Sequence, residues 1–208
     1  PDERKTMTTP EGVQGYSSGV HFFGEGIPLY TFYMQKYAGV NELGEALYYK
    51  DVKDDKGNVT GRETTTNYSE ATQYLCGSSL PDVYGGFGTS LSWKGFDFSI
   101  DFAYQIGGKV YDGDYASAMS SPTANSKGSV IHADILNAWT PENTTSNIPR
   151  FQYGDSYTAS SSDRFLTSGS YLSLQNINFG YTLPTKVCRP RSRPQSWYHN
   201  RIRNRRRL

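Results

Sequence analysis

Two carboxylates, Asp97 and Asp101, lie four residues apart in the stretch FDFSIDFAYQIGG, residues 96–108. On an extended chain that spacing puts both on one face. Their chemistry is hydration: an unpaired carboxylate is costly in a packed core and comfortable against water. Other residues that could do chemistry form no constellation. His21, His132 and His199 are scattered without metal-ligand spacing. Residues 51–57 (DVKDDKG) resemble a calcium loop only faintly. Counted from Asp51, the required glycine falls seventh instead of sixth, and the closing glutamate is missing. A solvated turn is the better reading. No HExxH, GxSxG or phosphate-binding glycine loop occurs. Asn58, Asn67 and Asn143 head Asn-x-Ser/Thr triplets of the kind polar loops produce by chance. Catalytic residues, metal ligands and cofactors are therefore expected to be none, and the chain is not expected to be an enzyme.

The aspartates are positioned by a strand. Phe96, Phe98, Ile100, Phe102, Tyr104 and Ile106 occupy every second position, with Asp97, Ser99, Asp101, Ala103 and Gln105 between them. Period two makes one face apolar and the other polar. Just before it, Phe87, Leu91 and Trp93 alternate with Gly88, Ser90, Ser92 and Lys94. Lys94-Gly95 then reads as a tight turn, so strands at about 84–94 and 96–106 form an antiparallel hairpin. A third strand is expected at 171–183. Its alternation changes phase, from Leu172 and Leu174 to Ile177, Phe179, Tyr181 and Leu183. A bulge near Gln175-Asn176 explains that shift; a segment standing clear of the apolar zone and obeying no pattern explains it as well.

Around these strands the sequence is turn-rich. Residues 1–27 read as loop and 28–40 as extended. Residues 41–83 read as an elaborated loop with a small hairpin. Residues 107–170 form a long polar connection holding one helix, at about Val130–Trp139, with Ser129 as N-cap and Pro141 as its stop. A connection of that length is more often functional than passive. Cys76 and Cys188 are far apart in sequence, and a structural disulfide between them is not expected. The chain opens PDERKT without a signal segment, which fits a removed leader or an internal piece of a longer protein.

The apolar face of 96–106 meets either a protein core or lipid. Eleven residues tilted about 45° rise roughly 26 Å, close to the apolar band of outer-membrane barrels. One very short turn and one very long loop at opposite strand ends also fit such a barrel. In that reading Phe96, Phe98, Ile100, Phe102, Tyr104 and Ile106 face lipid, and Asp97 and Asp101 face a wet lumen. A soluble, secreted β-sandwich that binds carbohydrate through exposed tyrosines alternates equally well and stays open at this point.

Seven ordered phrases carry a family resemblance. They are Pro81-Asp82, Gly85–Phe87, Lys94–Phe96, Gln105–Gly108, Trp139–Pro141, Ile148–Arg150 and Gly180–Pro184. Together they resemble the C-terminal part of the SusC/RagA family of TonB-dependent (TonB-linked) outer-membrane transporters. The likeness covers about 80–184 closely and 28–70 more loosely. It implies an all-β fold, an antiparallel transmembrane segment of a 22-stranded barrel with long extracellular loops and one short loop helix. It further implies import of oligosaccharides or peptides, energy from the TonB complex through parts outside this chain, and a SusD-like lipoprotein lid. Residues 1–79 become external loop region, 80–184 barrel strands with the external loop 107–170, and Trp139 a lid or loop contact. Substrate-binding residues are unknown at this stage.

The segment 185–208 departs from that pattern. All 20 acidic residues precede it, and after residue 186 the chain holds eight arginines, two prolines and no acid. Prolines at 190 and 194 disfavour a central strand. An arginine cluster suits phosphates, but an outer-membrane site supplies no nucleic acid, so no nucleic-acid partner is expected. The abrupt change of composition is read as a chain that left its native frame near residue 186, and the tail is assigned no function.

Overall fold

A computed structural model describes residues 6–122, 130–155 and 157–184. The Arg-rich tail, Cys188, His199 and the expected N-cap Ser129 lie outside the described residues. The chain divides into two compact units. One comprises the described residues up to Gly85 together with Tyr104–Leu172; the other comprises Gly86–Ala103 and residues from Ser173 onward.

The first unit opens with strands, the first three of them where loop was expected and the fourth within the extended 28–40. β1 (Met7–Thr8), β2 (Gln14–Ser18), β3 (His21–Gly24) and β4 (Thr31–Gln35) pair in sequence order. β2 and β3 are antiparallel, with Ser18 opposite His21 across the two-residue turn Gly19-Val20. That turn corrects the loop expectation for 1–27. β5 (Tyr37–Val40), β6 (Ala46–Lys53) and β7 (Val59–Thr65) form a separate antiparallel sheet, in which β6–β7 is the small hairpin expected within 41–83. β8 (Gln73–Ser78) then pairs with β4 and completes a five-stranded sheet.

The core sits here. Phe32, Met34 and Cys76 form one buried cluster, with Val20, Tyr111 and Leu166 packed against it. Ala116, Met119 and Phe165 form a second, flanked by Tyr115, Ile135 and Ile148. Tyr111 touches both. Cys76 is a buried free thiol, and desolvation pushes its pKa up to about 11.

The long strands are β9 (Val83–Trp93) and β10 (Phe96–Ile106), eleven residues each. They are joined by Lys94 and Gly95, both at positive φ (48° and 91°), the backbone that a tight right-twisting hairpin turn requires. After them come β11 (Lys109–Tyr111), α1 (Gly113–Ala118), β12 (Leu166–Ser168) and β13 (Tyr171–Tyr181). β11 pairs with β12. β10 is the central strand of a three-stranded sheet, with β9 and β13 at its edges.

One expectation for the 107–170 connection and two for the strand after it need correction. The helix at Val130–Trp139 is only a five-residue 3-10 turn, Ala133–Asn137, capped by His132, whose side chain accepts from Asp134 N. It stops because Ala138 is extended and Trp139 N donates to Ile148 O (2.8 Å) instead of to its own turn. The α-helix lies at α1, where Asp112 caps by accepting from Tyr115 N. β13 ends at Tyr181, two residues before the expected limit. Its bonds keep one register from Ser170·Gly107 through Asn176·Asp101 to Thr182·Gly95. No extra residue is inserted, so the bulge at Gln175-Asn176 is corrected as well.

Candidate functional site

The sheet β9–β10–β13 is two-faced. Phe87 stacks on Phe102 with centroids 5.1 Å apart, and Phe96 meets Tyr181 at 4.5 Å and Phe179 at 5.9 Å. With strand alternation, Phe96, Phe98, Ile100 and Phe102 share a face with Phe87, Leu91 and Trp93 on one side and Ile177, Phe179 and Tyr181 on the other. The opposite face is polar. Ser92 Oγ donates to Asp97 (2.6 Å), Asn176 Nδ2 to Asp101 (3.3 Å), and Asn178 Nδ2 to Ser99 Oγ (3.3 Å). Gly88 lies under Asp101: a Cβ there would fall 2.0 Å from the carboxylate oxygen. The spacing placed both aspartates on one face; their partners Ser92 and Asn176, and the Asn178–Ser99 pair beside them, were missed, although 176 and 178 carry the same period.

No residue of this unit is buried among those described. Leu91 is 65% exposed, Trp93 62% and Phe179 72%, while Phe98, Ile100 and Phe102 are half-buried. Among the described residues none seals them. Each large apolar side chain left in water forgoes roughly 1.5–3 kcal/mol. Tyr104 and Ile106, the last two members of the expected apolar set, belong to the other unit. The Tyr104 ring covers Gly85, and Ile106 is exposed.

The strand exit is fixed by a cluster of backbone bonds. Gly107 and Gly108 both adopt positive φ (81° and 75°). Asp82 N donates to Ile106 O (2.9 Å), Gln105 Nε2 to Gly169 O (3.0 Å), and Gly169 N to Gly108 O (2.9 Å). The Asp82 carboxylate occupies the space a Cβ at Gly107 would need. Pro81-Asp82 and Gln105–Gly108 thus build one corner.

Trp139 and Arg150 build another. Arg150 reaches Asp155 through Nε (2.9 Å) and Nη2 (3.1 Å), Glu45 through Nη2 (3.3 Å), and Leu43 O through Nη1 (2.9 Å). Its pKa is raised, first by the hydrogen bond to Asp155. The half-buried Trp139 ring lies over Gly44 beside Arg150. Leu43, Ile135, Trp139, Pro141 and Phe151 border an open groove of about 510 Å³.

The remaining candidates are structural. Asp51 is buried, accepts from the Tyr74 hydroxyl and pairs with Arg62 (3.3 Å). Tyr74 is pushed up to about 12, mainly by burial and then by Asp51. Asp54 binds the N–H groups of Lys56 and Asn58, which makes 54–58 a turn. Asn67 caps a 3-10 turn. His21 packs between Tyr30 and Phe32. Among the described residues no three His, Cys, Asp or Glu side chains could hold a metal.

No family model matches the chain. In sequence it is 32% identical over 165 residues to TonB-dependent receptor P3 of Formosa agariphila, spanning 77% of this chain and 16% of that protein. It is 35% identical over 111 residues to TonB-dependent receptor P26 of the same organism, spanning 53% of this chain and 11% of that protein. In structure it is similar to a chain of the RagAB peptide importer in its closed-closed state, with TM-score 0.57 and 26% identity, over 84% of this chain and 20% of that one. The chain thus spans less than a fifth of the curated relatives it matches.

Proposed function

The chain belongs to the SusC/RagA family of TonB-dependent receptors, and from that premise we propose that it supplies three strands and their external loops to an outer-membrane importer of oligosaccharides or peptides. One observation carries the reading. A sheet of eleven-residue strands presents an uncovered aromatic face on one side and a hydrogen-bonded polar ladder on the other. Phe96, Phe98, Ile100 and Phe102 face acyl chains, with Tyr104 and Ile106 continuing toward the strand end. Asp97 and Asp101 line the wet interior, held by Ser92 and Asn176. Lys94, whose ammonium lies 4.8 Å from the Trp93 ring centre, sits at the short periplasmic turn, where a cation beside an aromatic ring suits the membrane interface.

Strand closure into a 22-stranded barrel, coupling to the TonB complex and capping by a SusD-like lipoprotein belong to the rest of the protein. Loops 1–79 and 107–170 lie outward in this reading, with Trp139 and its groove on the side that meets lid or substrate. A β-sandwich is the weaker reading, because no described residue covers Phe98, Ile100 or Phe102. The tail after 185 is given no role.

Single cysteines placed at Phe98 and at Ser99 in the full-length protein test the orientation. In intact outer membranes a membrane-impermeant maleimide is expected to label position 99 and spare 98. Equal labelling of both would remove the lipid-facing assignment.

A further inference from the structure

Three arginines lie among the described residues, and two are consumed by carboxylates: Arg62 by Asp51, and Arg150 by Asp155 and Glu45. Arg164 is the exception. Its guanidinium is held near the ring of Tyr37 (5.2 Å to centroid) and that of Phe165 (5.1 Å), and Nη1 donates to Thr158 O (3.2 Å). It is half-buried, and no carboxylate among the described residues lies within ion-pair distance. Its sequence neighbour Asp163 and Asp112, which lines the same pocket, make other bonds. Asp163 accepts from Tyr37 N (2.8 Å), and Asp112 accepts from Tyr115 N (2.8 Å). Arg164 also lines an open pocket of about 350 Å³ with Asp112, Tyr115, Phe165, Leu166 and Thr167.

A guanidinium fixed by aromatic contacts keeps its planar fork rigid, so little rotamer freedom is lost when it binds. The matching ligand is a carboxylate, taken by two parallel N–H···O bonds. We infer that Arg164 and its pocket form a subsite for a carboxylate group of the transported substrate. The inference rests on the importer reading for its biological setting, though not for its chemistry. Asp112 on the rim disfavours multiply charged ligands and favours a single carboxylate placed on the Arg164 side. Two sources supply such a group: the free C-terminus of a peptide, and a uronic acid in a glycan.

Phenylglyoxal modification of the full-length, detergent-purified protein, read by mass spectrometry, tests the site without any variant. Arg164 is expected to react while Arg150, bonded through all three of its nitrogens, is spared. Tetraalanine free acid is compared with tetraalanine amide, and a trisaccharide carrying a single terminal glucuronic acid with its methyl ester. Protection of Arg164 by one acid over its neutral counterpart, on the order of tenfold for a charge-assisted bond pair, supports the subsite, and the arm that protects identifies the source. An Arg164 that resists the reagent without ligand, or acids that protect no better than neutral counterparts, overturns it. Arg164→Gln should then lower affinity for the protecting acid by the same factor and leave the neutral probe unchanged. Failure of the importer reading shows separately, as cells that take up the bound probe equally well with and without the protein.

Discussion

The two units of this chain solve the hydrophobic problem in opposite ways. The unit built around β4 and β8 turns Phe32, Met34 and Cys76 inward and seals them. The sheet β9–β10–β13 turns Phe87, Leu91, Trp93 and Phe179 outward and seals nothing. Both use the same alternation of side chains. The first unit folds as a water-soluble domain folds, by burying apolar area against itself. The second holds its strands together through backbone pairing and a polar ladder, and leaves its apolar area to the surroundings. Alternation alone therefore decides that a face is apolar; the second layer that covers one such face is absent, among the described residues, from the other.

The contrast breaks most visibly in the core. Phe22 is fully buried, so Phe22→Ala is expected to cost about 3–5 kcal/mol, read by denaturant unfolding of the full-length protein. Next comes Ile100→Arg. On a lipid face it costs about 2–4 kcal/mol near the midplane and should lower outer-membrane insertion, whereas Ser90→Arg, on the polar face, should insert normally. Equal losses for both would erase the distinction between faces. Gly88→Ala drives a methyl into Asp101 and is expected to cost about 1–3 kcal/mol; the double variant with Asp101→Ala should recover most of it. Phe179→Ala is the smallest, within about 0.5 kcal/mol in the membrane-inserted protein, since lipid replaces what the ring loses.

Alkaline titration sharpens the same comparison. Burial raises the hydroxyls of Tyr37 and Tyr74 to about 12, above the unfolded value of 10.0. The folded state then binds more protons than the unfolded state between those values. Their contribution is complete below pH 10 and is lost as pH rises toward 12. Circular dichroism and tyrosine absorbance should report loosening of the β4–β8 unit in that window. Unchanged structure through pH 12 would contradict it.

How much of this was legible depends on whether the determining contacts are local. β10 was legible to the residue, Phe96–Ile106, because its period runs unbroken between a Lys-Gly turn and a Gly-Gly exit. The aspartates followed from the same period. β2 and β3 were not legible. Their mixed composition and two-residue Gly19-Val20 turn resemble loop until Phe22 is seen packing on Tyr33. The expected helix after residue 130 has apolar residues at helical spacing, yet Trp139 gains more from bonding Ile148 than from extending a short turn. Arg150 was visible only as part of a motif; its partners Leu43 and Glu45 lie more than a hundred residues away. Arg164 gave no signal, since what distinguishes it is the lack of a carboxylate partner among the described residues.

The outer flanks of β9 and β13 carry a practical consequence. Of the three long strands only β10 has, among the described residues, a hydrogen-bonded neighbour on each side; the other two each leave a row of amide and carbonyl groups open to any passing extended chain. Produced alone in bacteria, this polypeptide should collect in inclusion bodies, with copies zipping side by side through those rims, and detergent micelles would mask its greasy surface without ending the polymerisation.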